Sequence, residues 1–198
     1  RDHTHVKVSD KGYVLNYAGY VASRNDMRYY NKGWSGGTIA YGGKPMINSN
    51  GGIYINLNDV VFEPDYITIF YGFNDYNQGS VTLGNVSDTT PTTFCGAWNC
   101  AFTALKTLYP KAKIGVIVSW GMAQEWHDAV ITICQKYGVP YVDTCDGQFP
   151  LVRKNGTANL DETWAEAQCA ITTFDGTHPN DFGYSLMSTA YEAFLRRI

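Results

Sequence analysis

Tyr66-Ile67-Thr68-Ile69-Phe70-Tyr71-Gly72-Phe73-Asn74-Asp75 is the stretch that decides how this chain folds. Its first six residues are β-branched or aromatic and do not alternate with polar ones, the pattern of a strand covered on both faces. Gly72 permits a sharp turn after it, and Asn74-Asp75 completes that turn. Ile114 to Val118 repeats the buried-strand pattern, and Val139 to Val142 and Met27 to Tyr30 are shorter candidates. Between these runs lie helical periodicities. Thr90-Pro91 offers an N-cap and a first-turn proline, after which Phe94, Ala97, Trp98, Ala101, Leu105 and Leu108 share one face until Pro110. Ala123 to Tyr137 repeats the pattern through Trp126, Ala129, Val130 and Ile133. A last helix is expected after Asn180 or Asp181, with Phe182, Leu186, Ala190, Ala193 and Phe194 turned inward. Cys145 to Phe174 reads as a long irregular connection, of the kind that shapes binding sites. Strands alternating with helices predict an α/β protein with a parallel sheet, whose sites form at the carboxyl ends of strands.

Composition sets the outer limits. The chain has 198 residues, 44% of them apolar and 17% charged, enough for one full core and one domain over residues 1–198. A net charge of −3 without a long basic run argues against a nucleic-acid surface, and no apolar run is long enough to span a membrane. The five cysteines form no Cys-x-x-Cys pair and no zinc-like grouping with the four histidines, so no metal is expected and buried free thiols are. Cys95 and Cys100 share a helical stretch, a poor geometry for a bridge.

Three groups of residues carry chemistry. In Asp175-Gly176-Thr177-His178-Pro179-Asn180, an aspartate at i−3 can hold one imidazole nitrogen and leave the other as a general base. The plainer alternative is a histidine that packs at the start of the last helix. Asn74, closing a strand, can offer its amide to a developing oxyanion, or can simply tolerate the turn. Asp75 is expected to be structural and to bond neighbouring backbone amides. Asn31-Lys32-Gly33-Trp34-Ser35-Gly36-Gly37-Thr38 is a glycine-rich turn that would let a backbone N–H approach a ligand. His3 and His5 have metal-ligand spacing but no third partner, His127 reads as a surface or half-buried residue, and Trp120 lines either a pocket or the core.

These three groups, in this order, resemble the SGNH hydrolase superfamily, also called GDSL esterases and lipases. Asn31 to Gly36 is similar to its second block, Gly72 to Asp75 to its third, and Asp175 to His178 to its Asp-x-x-His block. Thr93 to Ala97 and Tyr109 to Ile114 resemble the spacer of bacterial and phage members. The resemblance implies a three-layer α/β/α sandwich with a parallel sheet of about five strands, SGNH or flavodoxin-like. It makes His178 the base, Asp175 its orienting carboxylate, and Gly36 and Asn74 oxyanion donors, and it implies no cofactor.

The family's first block, a hydrophobic strand ending in Gly-Asp-Ser, is absent as written. Three accounts of the nucleophile stay open. It lies upstream of Arg1, in an N-terminal segment of the same gene product, with Arg1 to Lys11 as the loop that follows it. It is Ser9, 27 residues before Gly36 but preceded by no Gly-Asp. Or it is Ser35, since Gly33-Trp34-Ser35-Gly36-Gly37 has the form of a nucleophile elbow, though that elbow requires a helix directly after it.

The activity implied is serine-type hydrolysis of carboxylic esters with acetyl or other short acyl groups, a carbohydrate being one candidate alcohol. The alternative is a non-catalytic glycan- or receptor-binding module on the same scaffold, because fold does not fix function. Gly36, Asn74, Asp175 and His178 are expected to serve one site.

Overall fold

Phe94, Trp98 and Phe102 are fully buried one helical turn apart, and the unit that contains them is packed around their helix. The structure is a computed structural model that describes residues 15–42, 44–53, 63–146, 149 and 162–198. The elements in chain order are α1 (Tyr17–Arg24), β1 (Gly37–Thr38), β2 (Lys44–Pro45), β3 (Tyr66–Ile69), α2 (Phe73–Gln78) and α3 (Phe94–Leu108). They continue as β4 (Lys113–Val118), α4 (Gln124–Tyr137), β5 (Tyr141–Asp143), α5 (Glu162–Thr172) and α6 (Asp181–Leu195). By internal packing the described residues divide into two units, one of residues 15–30, 143–146, 149 and 162–197, the other of residues 31–42, 44–53, 63–142 and 198.

In the second unit β3, β4 and β5 form a sheet in that order. β3 and β4 run parallel, with Tyr66 opposite Lys113 and Ile69 opposite Val116. β1 and β2 form a separate parallel pair. The described strands divide between these two sheets. Val116, Ile117 and Val118 are wholly buried, as a strand covered on both faces requires. α4 packs on β4 and α3 on α4, with Phe94 at 4.8 Å from Trp126 and Phe102 at 5.4 Å from Tyr137, ring centre to ring centre.

In the first unit α1 packs along α6, and Tyr17 meets Tyr191 edge to face at 5.0 Å. Arg24 pairs with Glu192 at 2.9 Å and donates to Ser188 Oγ at 3.0 Å. α5 also packs on α6.

Several expectations are corrected. Met27 to Tyr30 is not a strand; the chain there is irregular after α1, a helix the pattern did not announce. The cap of α3 is Thr93, not Thr90, because the Thr93 hydroxyl accepts the Gly96 N–H at 3.2 Å and is itself held by Asp88. Leu108, in the last turn, is exposed. The stretch Cys145 to Phe174 contains α5, whose apolar residues Trp164 and Ile171 face solvent and so leave no amphipathic signal. On α6 the buried stripe is Gly183, Met187, Tyr191, Phe194 and Leu195, whereas Phe182 is exposed. The shift of face follows from Gly183, where an added Cβ would stand 2.2 Å from Thr172 O; only glycine lets the two backbones come that close.

The five cysteines are free, three of them buried and Cys100 and Cys145 half-buried. Burial pushes the thiols of Cys95 and Cys134 up to about 11 and about 12, which leaves them unreactive near neutral pH. Among the described residues no helix is long and apolar enough to cross a membrane. His3, His5 and Ser9 lie outside the described residues.

Candidate active site

The Asp175 to His178 segment is a tight loop between α5 and α6. Its base is closed by a bridge between Thr173 and Pro179 and by the Phe174 N–H donating to His178 O at 3.2 Å. Asp175 Oδ1 accepts the backbone N–H groups of Thr177 at 2.9 Å and His178 at 2.7 Å. That leaves Oδ2 pointing at the imidazole, where it meets His178 Nδ1 at 2.6 Å. Burial alone would raise the Asp175 carboxyl, but the N–H groups and the ring of His178, with the Thr177 N–H, outweigh it and hold it at about 2. An ionised carboxylate can only accept, so Nδ1–H is the donor of this bond, which selects the tautomer whose neutral form has its lone pair on Nε2. Phe174 stacks on the imidazole at 5.8 Å and 19°, fixing the ring plane from one side. Asn180, the cap of α6, also donates to Ile171 O at 2.9 Å and Thr173 O at 3.2 Å, and Cys169 Sγ contacts Gly176 O at 3.3 Å. The loop is thus braced from both of its flanking helices.

The second group lies in the other unit. β3 ends at Ile69, and Gly72, at φ 123°, lets the chain enter α2 within a few residues. Asn74 is in the first turn of α2 and donates through Nδ2 to Gly37 O at 2.9 Å, which fixes the amide and leaves it a second N–H. Gly36, at φ 70°, precedes β1, and its carbonyl accepts from Gln78 Nε2 at 3.1 Å. Asp75 is fully buried. Its Oδ1 accepts from Ile39 N at 3.1 Å and Ala40 N at 2.9 Å, and its Oδ2 from Ile39 N at 2.9 Å. Burial pushes this carboxyl up to about 7, against the Ala40 and Ile39 N–H groups that pull it down. Asp75 therefore bonds backbone amides, but the amides it accepts from Ile39 and Ala40 belong to a segment distant in sequence rather than to its neighbours, because the segment before β2 packs against α2.

Ser35 is exposed in the turn before β1, and that two-residue strand, not a helix, follows it. Trp120 is buried against Phe70, ring centres 5.2 Å apart, so it belongs to the core. His127 is buried rather than on the surface, with Nδ1 3.3 Å from Asp128. Three contributors escaped the sequence reading. Gln78 follows Asn74 at i+4, a spacing that places both on one helix face and was available as a signal. The aromatic at Phe174, four residues before the histidine, was a weaker one. The donor role of Asn180 carried no signal beyond its capping position.

Asp175 and His178 are thus paired on one loop, and Asn74 and Gly36 are tied to each other's neighbourhood in the other unit through Gly37 and Gln78. Residues 14–150 match the family of GDSL-like lipases and acylhydrolases, and the chain belongs to that family. Among curated proteins none matches the chain significantly. Among solved structures the chain resembles a protein from Lactobacillus plantarum at 24% identity and a TM-score of 0.73, over 92% of this chain and 88% of that one. It also resembles a member of the lipolytic G-D-S-L family from Veillonella parvula at 16% identity and a TM-score of 0.53, over 93% and 89% of the two chains. A third is an active-site mutant of a family two carbohydrate esterase from Clostridium thermocellum, at 19% identity and a TM-score of 0.58, covering 96% of this chain and 56% of that one. The architecture is that of the SGNH hydrolases, mixed helices about a parallel sheet.

Proposed function

We propose that residues 1–198 form a single SGNH-type domain that hydrolyses carboxylic esters with short acyl groups, acetyl foremost. A serine hydroxyl attacks the carbonyl carbon while His178 Nε2 takes its proton. Asp175 keeps Nδ1 protonated and stabilises the imidazolium without itself taking the proton. The Gly36 N–H and the Asn74 side-chain N–H stabilise the oxyanion. The C–O bond to the alcohol breaks, and His178 returns the proton to the leaving alkoxide. Water, deprotonated by His178, then releases the acid and restores the serine.

The observation that carries this reading is the 2.6 Å contact between Asp175 Oδ2 and His178 Nδ1, with Oδ1 engaged by two backbone N–H groups. A histidine that merely packed against α6 would not need a carboxylate held ionised against one nitrogen. The carbohydrate esterase among the structural neighbours makes an acetylated sugar the first substrate to assay.

The test is ester hydrolysis by the protein expressed from its complete reading frame, on short-chain aryl esters and acetylated saccharides. His178→Ala is expected to lower kcat by about 10⁴-fold or more with little change in Tm, the usual outcome of removing a triad member. Ser35→Ala is expected to keep most of the activity; its complete loss at an unchanged Tm would make Ser35 the nucleophile. A wild-type protein that binds a glycan and hydrolyses none of these esters would replace this reading with a binding module.

A further inference from the structure

Asp75 is a carboxyl group 0% exposed, placed one residue after Asn74. A buried carboxyl is costly unless its lone pairs are used, and a residue needed only to fill space here would be apolar, like the neighbouring buried Ile39 and Ile47. Its oxygens are used on one short segment, at Ile39 N and Ala40 N. The same helix sends Asn74 Nδ2 to Gly37 O and Gln78 Nε2 to Gly36 O. Within that segment Thr38 Oγ1 donates to Ala40 O at 3.0 Å, so its backbone is tied internally as well. Side chains of α2 thus hold residues 36, 37, 39 and 40 from one side.

We propose that Asp75 is a positioning residue that sets the distance and angle between the Gly36 N–H and the Asn74 amide, an inference that rests on the esterase reading above. Oxyanion donors act only when about 2.7–3.1 Å from the oxygen, so two donors borne by different elements need a rigid link. Asn74 and Gln78 alone leave the downstream end of the segment without a tie to α2; the Asp75 side chain supplies it. A misplacement of about 1 Å is enough to cost about 10²-fold in rate.

Asp75→Asn keeps the shape but sets an N–H₂ group against the Ile39 N–H, donor facing donor. In the complete protein this variant is expected to lower kcat by about 10²-fold while KM stays within about threefold, because the transition state alone uses the oxyanion donors. Ile133→Val, in the core of the same unit, is the control: it lowers Tm and leaves kcat within about twofold. Amide hydrogen exchange supplies a second readout, with the Ile39 and Ala40 N–H groups protected in the wild type and the Ile39 N–H, which loses its Oδ2 acceptor, less protected in Asp75→Asn. Should Asp75→Asn not fold, wild-type exchange and Gln78→Ala decide. Protected Ile39 and Ala40 amides, with a several-fold lower kcat in Gln78→Ala, support the link; unprotected amides with an unchanged kcat overturn it. An active wild type whose Asp75→Asn variant keeps its kcat overturns the positioning role alone. A wild type inactive on every ester overturns the esterase reading, and the positioning role with it.

Discussion

Two carboxylates one step from the candidate chemistry are driven in opposite directions by their surroundings. Asp175 is partly exposed and meets two backbone N–H groups and an imidazole, which hold it at about 2. Asp75 accepts comparable N–H groups but lies wholly inside, and desolvation outweighs them, pushing it up to about 7. The consequence for stability has a definite sign. A group whose folded pKa lies above its unfolded value of 3.8 binds more protons in the folded state, so stability falls as pH rises from about 4 through about 7. Asp75→Asn does not titrate. The Tm difference between wild type and Asp75→Asn is therefore expected to shrink between pH 4.5 and pH 8. A difference that widens over that range would mean the N–H bonds outweigh burial and the carboxyl titrates below its ordinary value.

At the scale of the element, the loop that carries His178 depends on the first turn of α6. Asn180 accepts the Gly183 N–H at 2.9 Å through its side-chain oxygen, and through its nitrogen it ties down the carbonyls of Ile171 and Thr173. One side chain thus caps α6, secures the end of α5 and anchors the base of the loop that carries Asp175 and His178. Asn180→Ala should cost about 2 kcal/mol, roughly one for the cap and the rest for the carbonyls left short of a donor. Asn180→Asp keeps the cap but turns a carboxylate toward those carbonyls, so it should recover only part of the loss. Denaturant unfolding of the three proteins measures this. Wild-type stability in Asn180→Asp would show that the donor bonds contribute nothing.

Across the whole molecule, the two units are stabilised differently. The unit around α3 rests on aromatic burial, Phe94, Trp98 and Phe102 among them. The unit of α1 and α6 adds a charged seam in which Glu192 meets Arg196 at 2.7 Å, Arg24 at 2.9 Å and Asn25 at 3.1 Å. These bonds, from Arg196 first and then Arg24 and Asn25, bring the Glu192 carboxyl down to about 2. Its folded pKa lies below the unfolded 4.5, so its contribution is complete above about pH 4.5 and is lost as pH falls through about 2. Screening at a partly exposed site keeps that contribution small. Glu192→Gln should lower Tm modestly at pH 6 and flatten the decline between pH 5 and pH 2. An equal slope in both proteins would place the acid sensitivity elsewhere, with Asp175 the next group to replace.

Local pattern was enough for β3, β4, α3, α4 and α6, because apolar runs and capping residues impose their periods within a few residues. It was enough for the Asp175 and His178 contact as well, since an i, i+3 pair across a tight turn meets wherever the rest of the chain goes. The extents of β5 and α3 differed from the reading only at their ends. α1 and α5 escaped it, the latter because its large apolar residues point outward. Which face of α6 is buried was settled by the close approach at Gly183, and Trp120 is buried against Phe70, remote in sequence. Asp75 shows the division best. Its position after Asn74 is plain in the sequence, but its partners are 35 and 36 residues away and its desolvation exists only once the surrounding core has closed. Period and turn chemistry are local properties of a chain; burial and long-range hydrogen bonding belong to the folded molecule, and it is these that turn an ordinary carboxyl into a link between two elements.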